Sequence, residues 1–243
     1  MNILLTNDDG YQAIGIQSVK KVLEQYGKVY MVAPSSVKSG MGCGLTSFKG
    51  LVAHKIDECT YIVEGTPVDC MQFASVVFAN IKFDFVVSGC NNGFNLSLDT
   101  MYSGTCGACF QSLIFGNKAI AFSAEKFEKP WQIEQSLKST LDYVLENKLL
   151  STKYYLCVNF NDPKFEKPKG IKITKLYRRH TYYEILGYDE KTDFYDFHRV
   201  HDDITDNDEY DVSAVYNGYI SITPIGLVPF RNEHYNKLIR KCK

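Results

Sequence analysis

Two rhythms of apolar residues alternate along the chain. Short continuous apolar runs, of the kind that form strands buried on both faces, are separated by stretches with an apolar residue every three or four positions. Residues 2–6 (NILLT) predict a buried parallel strand. Ile16, Val19, Leu23 and Tyr26 then recur at helical spacing, with Gly27 as the stop. Residues 28–33 (KVYMVA) predict a second strand, halted by Pro34. This is a βαβ unit, whose crossover should be right-handed and whose strands should be parallel.

The pattern continues with residues 51–56 and 60–63 as a hairpin, then a helix with Thr66 as N-cap and Pro67 in its first position, running to about Phe78. Residues 84–88 (DFVVS) and 118–123 (KAIAFS) predict strands, with a small-residue helix over 106–115 between them. A helix starting at Pro130 carries Ile133, Leu137, Leu141, Val144 and Leu145 on one face. Further on, residues 154–160, 171–177 and 219–223 (YISIT) predict strands, the last ending before Pro224. Residues 181–200 are aromatic and charged without a clean period and predict a projecting hairpin or arm. The acidic stretch 201–211 follows, and the basic residues 237–243 end the chain in an expected short helix. The fold class is therefore α/β with a mostly parallel sheet. The expected organisation is one domain over 1–243, with a core in 1–150 completed by strands, arm and helix in 151–243.

Composition changes this picture little. With 243 residues, 45% hydrophobic and 23% charged, the chain is ordinary for a soluble globular protein. A net charge of −1 gives no general attraction to nucleic acid or anionic membranes, so neither is expected as a partner. No apolar run reaches the ~18 residues of a membrane helix, and Met1 leads straight into a strand. A cytoplasmic location is expected, and with it eight free cysteines rather than a disulfide framework.

Polar clusters gather at three strand ends: Asn7-Asp8-Asp9-Gly10, the Ser/Gly loop 35–47, and the Asn-rich loop 89–95. In an open α/β sheet these ends share one crevice. Two adjacent carboxylates are costly to bury without a partner, and a hard cation neutralises both. Carboxylates, a hydroxyl and amide oxygens suit Mg²⁺ or Mn²⁺ better than zinc. Spacing alone does not choose among Asn91, Asn92 and Asn95. Ser103-Gly104-Thr105 lies at a predicted helix N-terminus, where backbone N–H groups and the helix dipole favour a phosphate. A cation beside such a helix end is an arrangement for phosphoryl transfer or phosphate hydrolysis. There is no Walker A sequence and no zinc-type His pair. Cys106-Gly107-Ala108-Cys109 has the spacing of a thiol–disulfide oxidoreductase motif, against which stands simple packing of small residues on the sheet.

The motifs LLTNDDG, VAPSSVKSG, EGTPVDC, VVSGCNNGFN, YSGTCGA and GYISITP occur in the order and spacing of the SurE family, stationary-phase survival proteins. The chain resembles this family over nearly its whole length, most weakly between residues 181 and 208. The resemblance implies a Rossmann-like three-layer core with a C-terminal hairpin extension used in oligomerisation, as a homodimer or homotetramer. It implies one divalent cation per subunit, Mg²⁺ or Mn²⁺, held by Asp8, Asp9, Ser39 and Asn91. Phosphate contacts are implied for Gly40, Asn95, Ser103, Gly104 and Thr105. Departures fall at Gln111, where Glu is common, at Gly44, where a hydroxyl is common, and at Cys43, often polar in such proteins. Cys90, Cys106 and Cys109 replace small apolar residues of the family pattern, which favours packing for the Cys pair.

The activity expected from this resemblance is metal-dependent hydrolysis of nucleoside monophosphates, a 5′-nucleotidase, with 3′-nucleotides and short polyphosphate as further substrates. Asp8 and Asp9 are the expected catalytic pair, with Asp9 preferred for orienting or deprotonating water. The alternatives are an oxidoreductase using Cys106 and Cys109, and a nucleotide-binding protein without turnover.

Overall fold

Alternation within the short apolar runs decides which layer each side chain joins. In β1 (Asn2–Thr6), Ile3 and Leu5 pack into one core layer and Leu4 into the other. The same division runs through β2 (Lys28–Pro34), β5 (Phe85–Asn92), β6 (Ala119–Ala124) and β7 (Tyr154–Asn159). Helices α1 (Ile14–Leu23) and α4 (Trp131–Glu146) supply the first layer, and α2 (Pro67–Val77) and α3 (Gly104–Ile114) the second. Each fully buried aliphatic or Phe side chain in these layers contributes roughly 1.5–3 kcal/mol. The result is a three-layer α/β sandwich of Rossmann-like form. It is a computed structural model that describes residues 1–46, 48, 50–179, 181–201 and 206–227.

With β3 (Ala53–Asp57), β4 (Thr60–Val63), β8 (Ile171–Ile173) and β11 (Ile220–Gly226), the main sheet has nine strands among the described residues, in the order β3-β4-β2-β1-β5-β6-β7-β11-β8. β2, β1, β5, β6 and β7 pair in parallel, while β3 is antiparallel to β4 and β11 to β7. From β1 the chain crosses to β2 on one side and later returns to β5 on the other. The order therefore reverses at β1, and the crevice beyond the ends of β1 and β5 is the topological switch point, where such sheets bind ligands.

Four elements differ from their sequence-based expectation. β5 does not stop at residue 88. It continues to Asn92 through a register shift between Ser88 and Asn91, so that Asn91 pairs with Ser123. Gly89 makes this possible, with φ +116° and no room for a Cβ, which would lie 2.3 Å from the Phe122 carbonyl oxygen. β11 runs through Pro224, which pairs opposite Leu156. Its missing N–H is tolerated because β8 pairs with β11 only as far as Ile222. β8 ends at Ile173 rather than near Tyr177, because Lys175 and Tyr177 direct their N–H groups to Glu209 and to the Asp211 carboxylate. The six-residue α5 (Asp211–Tyr216) has too few turns to stand out from the acidic stretch around it.

The arm is an antiparallel pair, β9 (Thr181–Asp189) and β10 (Phe194–His201), separate from the main sheet. The expected terminal helix at 237–243 and residues 202–205 of the acidic stretch lie outside the described residues.

Candidate active site

Beyond β1 the backbone turns at Gly10, and Asn7 closes the turn with its Nδ2 donating to the Gly10 carbonyl at 2.9 Å. The turn holds Asp8 and Asp9 at the sheet edge. Asp8 is 2% exposed, and its carboxylate meets the first turn of α3. Thr105 donates its hydroxyl to Oδ1 at 2.6 Å and its N–H to Oδ2 at 3.2 Å. Gly104 is required there, because a Cβ would lie 2.9 Å from Asp8 Cβ. Burial raises the Asp8 pKa to about 6; the Asp9 charge adds to this, and the Thr105 bonds oppose it. Burial also raises the Asp9 pKa, against an N–H from Asn92 to Asp9 Oδ2 at 3.1 Å.

The loop after β2 is tied to the same point. Lys38 donates its N–H to the Asp8 carbonyl at 2.7 Å, and Gly42 donates to the Tyr102 carbonyl at 2.9 Å. Ser39 and Gly40 lie between these anchors and are exposed, with Gly40 at φ +76°. From β5, the three asparagines take different paths. Asn91 donates Nδ2 to the Gly93 carbonyl at 2.8 Å, and Asn92 turns its side chain to Phe127. Asn95 is buried, with Nδ2 on Ser123 Oγ at 2.8 Å and its backbone clasped by the Asn159 amide.

All three loops thus reach the switch point, together with the N-terminus of α3. Ser103 is its N-cap, accepting from Cys106 N–H at 3.2 Å. Thr105 differs most from its expected role: both of its donors that a phosphate would use are spent on Asp8. It is the residue that holds the buried carboxylate, which the bare spacing of residues 8 and 105 does not announce. Among the described residues, no three His, Cys, Asp or Glu side chains group as a metal cluster. A cation at the acidic pair would complete its shell with neutral oxygens. The donors fit that role: two carboxylates, one held partly protonated near neutral pH by burial, are what a divalent charge would relieve.

Sequence reasoning also missed a hub behind the site. Ser97, at φ 54°, donates its N–H to Asp211 at 2.7 Å and its hydroxyl to the Tyr177 carbonyl at 2.8 Å, and accepts from Arg179 N–H at 3.0 Å. Asp211 is 1% exposed and also accepts from Tyr177 N–H. The sequence offered little signal for it beyond the tandem Arg178-Arg179, because Asp211 is one of several acidic residues in the stretch 201–211.

Cys106 and Cys109 are fully buried in the layer formed with Tyr155 and Cys157. Both thiols are sealed from solvent, so the motif packs a helix against the sheet and the oxidoreductase reading has no support.

The fold and site define a class: Rossmann-like α/β proteins with an acidic pair at the switch point, facing a capped helix N-terminus. Within that class, the chain belongs to the SurE family, since the family model described as Survival protein SurE matches residues 3–183. It is 34% identical to the 5′-nucleotidase SurE of Petrotoga mobilis over 98% of each chain. It is 36% identical to the 5′-nucleotidase SurE of Aquifex aeolicus, over 92% of this chain and 91% of that protein. The crystal structure of the SurE protein from Aquifex aeolicus matches with a TM-score of 0.81 at 32% identity, covering 99% of this chain and 100% of that one.

Proposed function

We propose that this chain hydrolyses nucleoside monophosphates to a nucleoside and inorganic phosphate, in a reaction that depends on a divalent cation. The observation that carries this reading is the contact between Asp8, the buried member of the acidic pair, and Thr105 in the first turn of α3. Relatives that match over nearly the whole chain carry the name 5′-nucleotidase SurE, which supports the substrate class.

Asp8, Asp9, Ser39 and Asn91 are the residues proposed to hold the cation. Asn91 is taken from the family resemblance: the amide nitrogens of Asn91, Asn92 and Asn95 are all engaged, by the carbonyls of Gly93 and Phe127 and by the Ser123 hydroxyl, so hydrogen bonding does not separate them. When bound, Mg²⁺ or Mn²⁺ supplies neutralising charge at the phosphoryl oxygens and makes water more acidic. Asp9, the less buried carboxylate, orients the attacking water and takes its proton. Water attacks phosphorus in line, the P–O bond to the sugar breaks, and the leaving oxygen takes a proton to become the nucleoside hydroxyl. Asp8 stays fixed by Thr105. Gly40, the Ser103–Gly104 turn and Asn95 are the proposed phosphate contacts, with the α3 N-terminus stabilising the charge that shifts onto the equatorial oxygens.

The rest of the reading is proposed with it. The chain forms one domain, supported by β7 and β11 joining the sheet of β1. A reducing compartment, the cytoplasm, is supported by the seven cysteines among the described residues, all of them free. Homodimer or homotetramer assembly through the arm is supported by exposed Tyr183, Ile185, Leu186, Phe194 and Phe197.

The test is a panel of nucleoside 5′- and 3′-monophosphates and short polyphosphate, with Mg²⁺, Mn²⁺ or chelator. Release of phosphate that chelator abolishes is expected. Tight nucleotide binding without turnover would favour a binding protein instead.

A further inference from the structure

Beside the proposed phosphate cradle lies a second cavity of about 300 Å³, at the lower end of the roughly 300–1,000 Å³ of ligand pockets. It is lined by Tyr102, Arg178, Arg179, Thr181, Tyr183 and Arg199. Tyr102 immediately precedes the N-cap Ser103, so one wall of the cavity adjoins the start of α3.

Its chemistry is cationic. Three guanidinium groups meet two carboxylates among the described residues: Asp99 pairs with Arg199, and with Arg179 at 3.7 Å, while buried Asp211 in the Ser97 hub also acts on Arg179, which leaves one positive charge in excess. Arg178 has no ion pair among the described residues. Arg179 is 9% exposed, and the Nε atoms of both Arg179 and Arg199 are buried without a hydrogen-bond partner. Buried donors of this kind are costly unless an acceptor meets them. The Arg199 guanidinium stands 5.7 Å from the centre of the Tyr102 ring, which fixes its plane. The walls are preformed, because the Ser97 hub ties residues 97–102 to residues 177–179.

We propose that this cavity is an anion subsite that takes a phosphate of the substrate other than the one removed. The enzyme would then favour nucleotides bearing two phosphates. The inference rests on the nucleotidase reading and deepens it. A planar fork of guanidinium donors matches phosphate oxygens, and the excess positive charge here has no use in binding a neutral base or ribose.

The experiment compares the full-length protein with Arg178→Gln, an exposed position whose loss should not disturb folding, and with Arg199→Gln. Adenosine 5′-monophosphate and adenosine 3′,5′-bisphosphate are the probes, read by steady-state kinetics with Mn²⁺ and by calorimetric titration. In the wild type the bisphosphate should show a KM about tenfold lower, as expected for one or two charge-assisted hydrogen bonds. Arg178→Gln should remove that advantage and leave kcat/KM for the monophosphate within about twofold, since the lost bond is charge-assisted and specific to the second phosphate. Equal KM values in the wild type, or equal losses for both nucleotides in both variants, overturn the proposal. Stabilisation by inorganic phosphate that Arg178→Gln removes, without discrimination between the nucleotides, also overturns it, because the cavity then serves a free anion. If neither nucleotide is turned over, yet calorimetry shows Arg178-dependent preference for the bisphosphate, the hydrolase reading fails and the subsite stands.

Discussion

At the scale of single residues, Asp8 dominates. Its pKa is raised from 3.8 to about 6 by burial, so between those values the folded protein binds more protons than the unfolded chain. Metal-free stability should therefore fall as pH rises from about 4 to about 6, Asp8 contributing a cost on the order of 3 kcal/mol and the raised Asp9 pKa acting in the same direction. Asp8→Asn removes this contribution. In chelator at pH 8 the variant should melt about 5–10 °C higher than wild type, and the gap should close toward pH 4. Added Mn²⁺ should raise the melting temperature of wild type but not of Asp8→Asn. Scanning calorimetry at several pH values reads both effects. Thr105→Val leaves the N–H on Asp8 and deletes the hydroxyl donor. Turnover should drop about tenfold or more, the scale of one charge-assisted bond, with the circular dichroism spectrum unchanged. The acidic pair was legible in the sequence because adjacent carboxylates after a buried strand demand an explanation. The role of Thr105 was not, because a hydroxyl at a helix start reads equally as cap, phosphate donor or partner to a distant side chain.

At the scale of elements, the site depends on how closely α3 approaches the end of β1. Gly104→Ala would put a methyl 2.9 Å from Asp8 Cβ and 3.1 Å from Oδ2. The carboxylate must shift, so activity should fall sharply while stability drops by about 1–3 kcal/mol, as for overpacking. Urea unfolding and phosphate release measure the two losses separately. The elements themselves were legible where a signal was local. Thr66 and Pro67 started α2 as expected, with a full capping box to Asp69. Signals were lost where tertiary partners decide. Pro224 stays in β11 because, among the described residues, β8 pairs with the strand only as far as Ile222, and β8 stops because Asp211 captures Tyr177 N–H. Neither partner can be inferred from the local run of residues.

At the scale of the whole molecule, the reversal of strand order at β1 brings together loops separated by more than eighty residues, as in the bond from Asn92 to Asp9. The sequence pattern sufficed to foresee that convergence, because parallel strands present their carboxyl ends on one edge. The arginine cavity escaped notice because its walls come from a loop before α3 and from both strands of an arm without periodicity. The exposed face of that arm is the proposed contact between copies. Ile185→Lys with Phe197→Lys should shift the protein toward monomer in sedimentation velocity while leaving the fold intact. An unchanged sedimentation coefficient would remove the arm from the assembly. The central claim is that the acidic pair of β1 drives hydrolysis of a phosphomonoester with a bound divalent cation. Its most direct measurement is phosphate release from a nucleoside 5′-monophosphate by wild type and Asp9→Asn, each with Mn²⁺ and with chelator. Release by wild type with Mn²⁺ alone, and by neither protein in chelator, is the predicted result; turnover by Asp9→Asn, or turnover that survives chelation, contradicts it.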